Sequence, residues 1–139
     1  MAVHFAFGSY VAHVAEVSVT DGNIRVHRMV CAVDCGQYVN PGIIASQIEG
    51  GAIFGASAAL FQELTFENGR LQQTNFNTFP VLRMNECPAI ETYIVESKEK
   101  AGGIGEPGVP CAAPAIANAL FAVTGKRVRR LPIRLTETV

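Results

Sequence analysis

The apolar positions along the chain fall into stretches of two different periods. From Ser9 to Val19, "SYVAHVAEVSV" alternates apolar with other residues, the period of a strand with one buried face. Thr20-Asp21-Gly22-Asn23 follows, with Asp-Gly at its centre, and "NIRVHRMVCAVD" alternates again. Two alternating runs joined by such a turn predict a β-hairpin. Gly36 to Gly42, containing Asn40-Pro41, reads as a loop. The pattern then changes: "IIASQIEGGAIFGASAALFQEL" is too long and too rich in alanine for a strand. Within it Ile44, Ile48, Gly51 or Ala52, and Gly55 recur three to four apart, as on the buried face of a helix. Glycines 50, 51 and 55 each cost about 1 kcal/mol against alanine there. Close approach of another backbone or of a ligand would supply the reason.

The second half is shorter in its elements. "LTFENGRLQQTNF" holds a hairpin-like turn at Asn68-Gly69, and "FNTFPVLRMNECP" shows no period and reads as an ordered loop. "AIETYIVES" is a predicted strand, and "CAAPAIANALFAVTG" a helix closed by Gly125. "RVRRLPIRL" is predicted as a last strand, at a sheet edge because Pro132 lacks an N–H. No repeats and no linker divide the chain, so residues 1–139 are expected to form a single domain. The expected class is α+β: a mixed or antiparallel sheet of hairpins with two helices packed on it.

Composition narrows the function. With 49% hydrophobic and 17% charged residues the chain can bury a core. A net charge of -1 argues against a protein built to neutralise nucleic-acid phosphates. The one basic cluster, Lys126 to Arg130, follows a predicted helix end, where cations suit the helix dipole and face solvent or a partner. No uninterrupted apolar run reaches the roughly 18 residues of a spanning helix; Ala45 to Phe61 is broken by Gln47 and Glu49. The N-terminus lacks the pattern of an export signal, so a cytoplasmic location is expected.

Cysteines stand at 31, 35, 87 and 111, without zinc-site spacing, and read as buried structural thiols. His4, His13 and His27 lack metal-site spacing too, so no metal ligand is assigned. Asp34 and Asn40-Pro41 suit turn chemistry, Ser9 and Tyr10 read as strand residues, and Arg83 has no assignable partner.

The stretch "GGIGEPGVPCAAPAIANAL", Gly102 to Leu120, carries the chemistry. Gly103, Gly105 and Gly108 fit G-x-G-x-x-G, but Pro107 sits inside the turn and Pro110 follows. Twenty residues beyond Gly105 lies Gly125, before a basic run, where a dinucleotide site would place an acid. That reading is rejected. What remains is the carboxylate of Glu106 on a tight glycine loop that Pro107 stiffens. With no polar side chain beside it in sequence, the acid is expected to be poorly solvated, as suits a general base. A glutamate that merely caps the next helix, or stands exposed on a loop, is the alternative.

This stretch, continuing to "FAVTGKRVRRLPI", resembles the C-terminal signature of the molybdenum hydroxylases, the xanthine dehydrogenase and aldehyde oxidase family. "VHRMVCAVDCGQYVNPGIIASQIEGGAIFGASAAL" resembles a second block of that family in the right order, as do "FGSYVAHVAEVSV" and "FNTFPVLRMNE". The likeness is to the molybdopterin-binding large (beta) subunits of the bacterial isoquinoline 1-oxidoreductase type, and covers their C-terminal part. It implies that Glu106 is the catalytic base in the oxidation of an N-heterocycle or aldehyde with oxygen from water. It implies that Gln47 hydrogen-bonds the molybdopterin, that Gly50 and Gly51 let the cofactor approach, and that Gly103, Ile104 and Gly105 offer backbone groups near the metal. It further implies a cytosine dinucleotide form of the cofactor, and partners in the rest of the large subunit and an iron–sulfur small subunit. By itself the chain is then expected to hold only part of the pocket, without cofactor or activity. The alternative is a catalytically silent fragment or paralogue acting as a folding or self-association module, with homo-oligomers through its exposed apolar faces.

Overall fold

The computed structural model describes residues 1–135. In chain order the elements are β1 (Ala2–Ala6), β2 (Ser9–Thr20), β3 (Asn23–Asp34), α1 (Pro41–Leu60), β4 (Phe66–Glu67), β5 (Arg70–Leu71), β6 (Ala89–Ile94) and α2 (Val109–Thr124). The expected α+β class holds, and the sheet is mixed. β1, β2 and β3 pair antiparallel as consecutive hairpins, while β6 joins β3 in parallel, giving the order β1-β2-β3-β6. A parallel neighbour needs a long crossover, and the segment containing α1 provides it. β1 is an element the alternation does not reveal, and β4–β5 forms a separate two-stranded ribbon at the Asn68-Gly69 turn.

One side chain reverses the alternation in β3. Glu16 pairs with Arg28 and Val17 with Val26, so His27 is an extra residue on β3. This bulge flips the parity: Val26 is buried before it, and Met29, Cys31 and Val33 after it. The sequence shows the flip as two adjacent exposed residues, His27-Arg28, inside an otherwise alternating run. On the outer face Arg28 donates two hydrogen bonds to the Glu91 carboxylate, 2.6 and 2.8 Å, tying β3 to β6.

Each hairpin of the sheet and of the ribbon closes with a two-residue turn whose residues both have positive φ: Phe7 (56°) and Gly8 (79°), Asp21 (51°) and Gly22 (78°), Asn68 (48°) and Gly69 (74°). Asp-Gly and Asn-Gly are the usual occupants of such a type I′ turn. A phenylalanine there costs roughly 1–2 kcal/mol, because Cβ crowds the carbonyl in left-handed backbone.

The two helices cover one face of the sheet. Ile44, Ile48, Ala52, Ala56, Ala59 and Leu60 of α1 are buried, with Cys111, Ala112, Ala115, Ile116 and Leu120 of α2. Asn40 caps α1, its Oδ1 accepting from the N–H groups of Gly42 (2.9 Å) and Ile43 (3.3 Å). Gly125, with φ 71°, ends α2 as predicted. The costly α1 glycines have different reasons. A Cβ on Gly55 would lie 2.5 Å from the Val109 carbonyl oxygen, and one on Gly51 3.3 Å from the Gly108 backbone, so both let α2 approach. Gly50 meets no atom within 4 Å.

Two expectations are corrected. Residues 127–135 form no strand. The Ile133 N–H donates to the Ala59 carbonyl (2.7 Å) and an Arg134 guanidinium N–H to that of Leu60 (3.1 Å). The segment therefore satisfies carbonyls at the C-terminal end of α1, which a helix end leaves unpaired, instead of lengthening the sheet. Second, α1 with its 20 residues is long and apolar enough to cross a membrane, by length and composition alone, despite Gln47 and Glu49. Nine of its residues are buried, six of them in the apolar core.

Candidate functional site

The predicted acid lies on the segment that leads from β6 into α2. Hydrogen bonds pin this segment along its length. The Gly102 N–H donates to the Cys35 carbonyl (2.8 Å) and the Gly103 N–H to the Phe7 carbonyl (2.7 Å). Ser9, wholly buried at the start of β2, donates its hydroxyl to the Gly103 carbonyl at 2.8 Å. A Cβ on Gly102 would lie 2.5 Å from the Gly8 carbonyl oxygen, so the close approach requires glycine there. Beyond it the Val109 N–H donates to the Glu106 carbonyl (3.0 Å), and Pro107 is fully buried. Glu106 is thus held by its backbone between an anchored loop and the first turn of α2.

Beside it α1 and the loop enclose a cleft of about 440 Å³. Glu106 and Gln47 are its polar side chains. Gly50, Gly51 and Gly105 line it with backbone, Phe7 and Phe54 form aromatic walls, and Val109 and Pro110 close it at the start of α2. Gln47, Gly50, Phe54 and Glu106 are all exposed to this space.

The structure sorts the predicted residues. Glu106, Gln47, Gly50, Gly51 and Gly105 line one cleft although up to 59 positions separate them in sequence. Gly51 is nevertheless a glycine because α2 crosses it, and only Gly50 is open for a ligand. Gly103 and Ile104 do not line this cleft. The Gly103 N–H is spent on Phe7, so it is not a free donor, and Ile104 turns toward the core and a neighbouring hollow with Cys35, Ile43 and Ile44. The expected poor solvation of Glu106 is not met: the apolar neighbours in its sequence are drawn away, Pro107 into the core, and the acid faces open space. Phe7 and Phe54 were missed by sequence reasoning. The one signal for them was Phe-Gly where Asn-Gly is expected.

The other candidates are structural. Asp34 accepts from the Gly36 N–H (3.0 Å), and Asn40 caps α1, both as turn formers. Cys31, Cys35 and Cys111 are buried free thiols, and burial raises all three, that of Cys31 to about 12. His13 is fully buried on β2, both ring nitrogens lack a partner among the described residues, and desolvation lowers its pKa to about 4. His27 shares a 2.7 Å hydrogen bond with the Ser18 hydroxyl. No group of His, Cys, Asp or Glu among the described residues could hold a metal ion.

A mixed sheet backed by two helices thus brings a glycine-loop carboxylate and a side-chain amide to one cleft. Residues 1–88 match the molybdopterin cofactor-binding domain family, and the chain belongs to that family. The isoquinoline 1-oxidoreductase beta subunit of Brevundimonas diminuta is 39% identical over 140 residues, covering 96% of this chain and 18% of that protein. The molybdenum-binding subunit of the aldehyde oxidoreductase from Escherichia coli K12 is 32% identical over 137 residues, covering 91% of this chain and 19% of that protein. Among solved structures, quinoline 2-oxidoreductase from Pseudomonas putida 86 superposes with TM-score 0.81 over 90% of this chain and 17% of that one, at 24% identity. The aldehyde oxidoreductase of Desulfovibrio desulfuricans reaches 0.77 at 30% identity, covering 89% of this chain and 14% of that one. The resemblance to molybdenum hydroxylase large subunits read from the sequence is therefore met. The chain spans less than a fifth of the length of these relatives.

Proposed function

We propose that this chain is the base-bearing segment of a molybdenum hydroxylase large subunit that oxidises N-heterocycles or aldehydes. The observation that carries this is the convergence of Glu106 and Gln47 on one cleft beside the open backbone of Gly50 and Gly105. A pterin edge needs a group that both donates and accepts, which the Gln47 amide does. A Cβ would meet nothing at Gly50 or Gly105, so the backbone leaves room for a flat cofactor. The molybdenum–pterin group, in its cytosine dinucleotide form, supplies the redox chemistry when bound. Glu106 accepts the proton released as water-derived oxygen is transferred to the substrate carbon. The hydrogen bond from the Val109 N–H to its backbone carbonyl and the buried Pro107 fix the Glu106 backbone at the edge of the cleft.

The chain exposes more surface than a compact protein of its mass. A compact protein of 14.9 kDa exposes about 7,000 Å², and this chain exposes 8744 Å². The surplus is roughly twice what one partner contributes to a standard protein–protein interface, about 800 Å². Val3, Phe5, Tyr10, Val14 and Tyr93 stand exposed on strands. Such a surface suits docking against the rest of a large subunit, which would also close the cleft over Glu106 and exclude water. An iron–sulfur small subunit then takes the electrons.

The test is Glu106→Gln in the complete enzyme. Turnover should fall by at least a hundredfold, as for loss of a positioned base, with molybdenum content unchanged. Near-normal kcat removes Glu106 from this role. Gln47→Ala should instead lower cofactor occupancy.

A further inference from the structure

Residues 107–135 contain five cations, Lys126, Arg127, Arg129, Arg130 and Arg134, and no acid. Arg134 has an acidic neighbour, Glu63 at 3.9 Å, but the other four pair with no carboxylate among the described residues. Helix polarity does not account for them, because it acts within the last turn, where α2 holds no basic residue. Instead the segment after Gly125 folds back beside α2, and the two bound an open groove of about 340 Å³. Ala113, Ala117 and Phe121, spaced four apart on α2 and half-buried, form its apolar side. Arg127, Arg129 and Arg130 stand exposed on the other. The Arg127 guanidinium carbon lies 3.8 Å from the centre of the Phe121 ring, a contact that keeps this cation at the groove. The groove and the Glu106 cleft share no residue.

We propose that this groove is a docking surface for an acidic segment of a partner polypeptide, whose carboxylates pair with Arg127, Arg129 and Arg130 while its apolar side chains lie on α2. Unpaired cations gathered on one face of a chain with net charge -1 set up a field that an anionic partner neutralises. Three of the four are arginine, whose planar fork takes a carboxylate through two hydrogen bonds. Arginine and aromatic residues are enriched at protein interfaces, where lysine is depleted. A concave groove with an apolar side admits a chain segment, whereas a bilayer surface meets only what protrudes. The negative net charge disfavours nucleic acid. This role is independent of the reaction at the Glu106 cleft.

The test is fluorescence anisotropy of a labelled peptide alternating glutamate and leucine, titrated with the full chain, with phosphatidylserine vesicles and inorganic phosphate as competitors. The peptide should bind saturably, and its affinity should fall roughly tenfold or more at about 1 M salt, where the screening length is about 3 Å. Arg129→Glu with Arg130→Glu should abolish binding. Arg25→Glu with Arg70→Glu, the same charge change on exposed arginines away from the groove, should leave affinity within about twofold. If far-UV circular dichroism shows the groove variant unfolded, Arg129→Gln with Arg130→Gln replaces it, with a loss of roughly tenfold expected. The proposal is overturned by no saturable binding, by equal loss in the groove and control variants, or by phosphate or vesicles displacing the peptide better than unlabelled peptide at equal charge.

Discussion

Placing a single methyl group on Gly55 should loosen the junction on which the site is built. The added Cβ would stand 2.5 Å from the Val109 carbonyl oxygen and 2.7 Å from the Ala112 Cβ, where ordinary contact begins near 3.4 Å. Both atoms belong to the first turn of α2, so neither can swing aside as a flexible side chain would. The helices must separate by about 1 Å, and overpacking of this kind costs about 1–3 kcal/mol. Alanine recovers about 1 kcal/mol of helix propensity, leaving a net loss of about 0–2 kcal/mol for Gly55→Ala. Gly50→Ala is the matched control five residues away on the same helix, with no atom within 4 Å. It keeps the propensity gain and should be about 0.5–1 kcal/mol more stable than the unmodified chain. Urea unfolding followed by far-UV circular dichroism measures both, with equal m-values confirming that the unfolded state is unchanged. Gly55→Ala as stable as Gly50→Ala, or both variants shifting the same way, would refute the claim that α2 requires this glycine.

Two further outcomes follow from the buried titratable groups. His13 is neutral in the fold, with its pKa lowered to about 4 by burial. The unfolded chain binds the proton first, near 6.5, so stability is full above that pH and falls as pH drops toward 4, by about 3 kcal/mol in all. His13→Leu should remove that slope, seen as the difference between the two urea-derived stabilities at pH 7 and pH 4.5; parallel profiles would refute it. With Cys31, Cys35 and Cys111 buried and their thiols raised, a thiol-reactive dye at pH 8 should label the native chain only at Cys87, and all four sites in urea. Rapid native labelling at more than one site would contradict the packing of the core.

The β2–β3 hairpin and both helices were legible in the sequence because their signals are local. Alternation through Ser9–Val19, Asp21-Gly22 at the turn, and Gly125 at the end of α2 each act within a few residues. The family resemblance supplied Glu106 and Gln47, and the composition of the glycine loop drew attention to the acid beforehand. Periodicity did not show that these two side chains share a cleft, since α1 and the α2 entry meet only in the folded chain.

Tertiary structure decided the rest, for reasons that no local pattern contains. The Pro132 segment alternates like a strand, yet the open carbonyls of Ala59 and Leu60 recruit Ile133 and Arg134 from more than seventy residues away. The glycines of α1 look alike in sequence, but the crossing of α2 tells them apart: Gly55 must stay small, Gly51 lies close to the Gly108 backbone, and Gly50 is open. Glu106 stands among apolar neighbours along the chain, yet Pro107 turns inward and the carboxylate turns outward. Strand and helix periods report which way a residue faces within its own element. Which atoms it then meets depends on how the elements pack, and that is where the site of this protein is made.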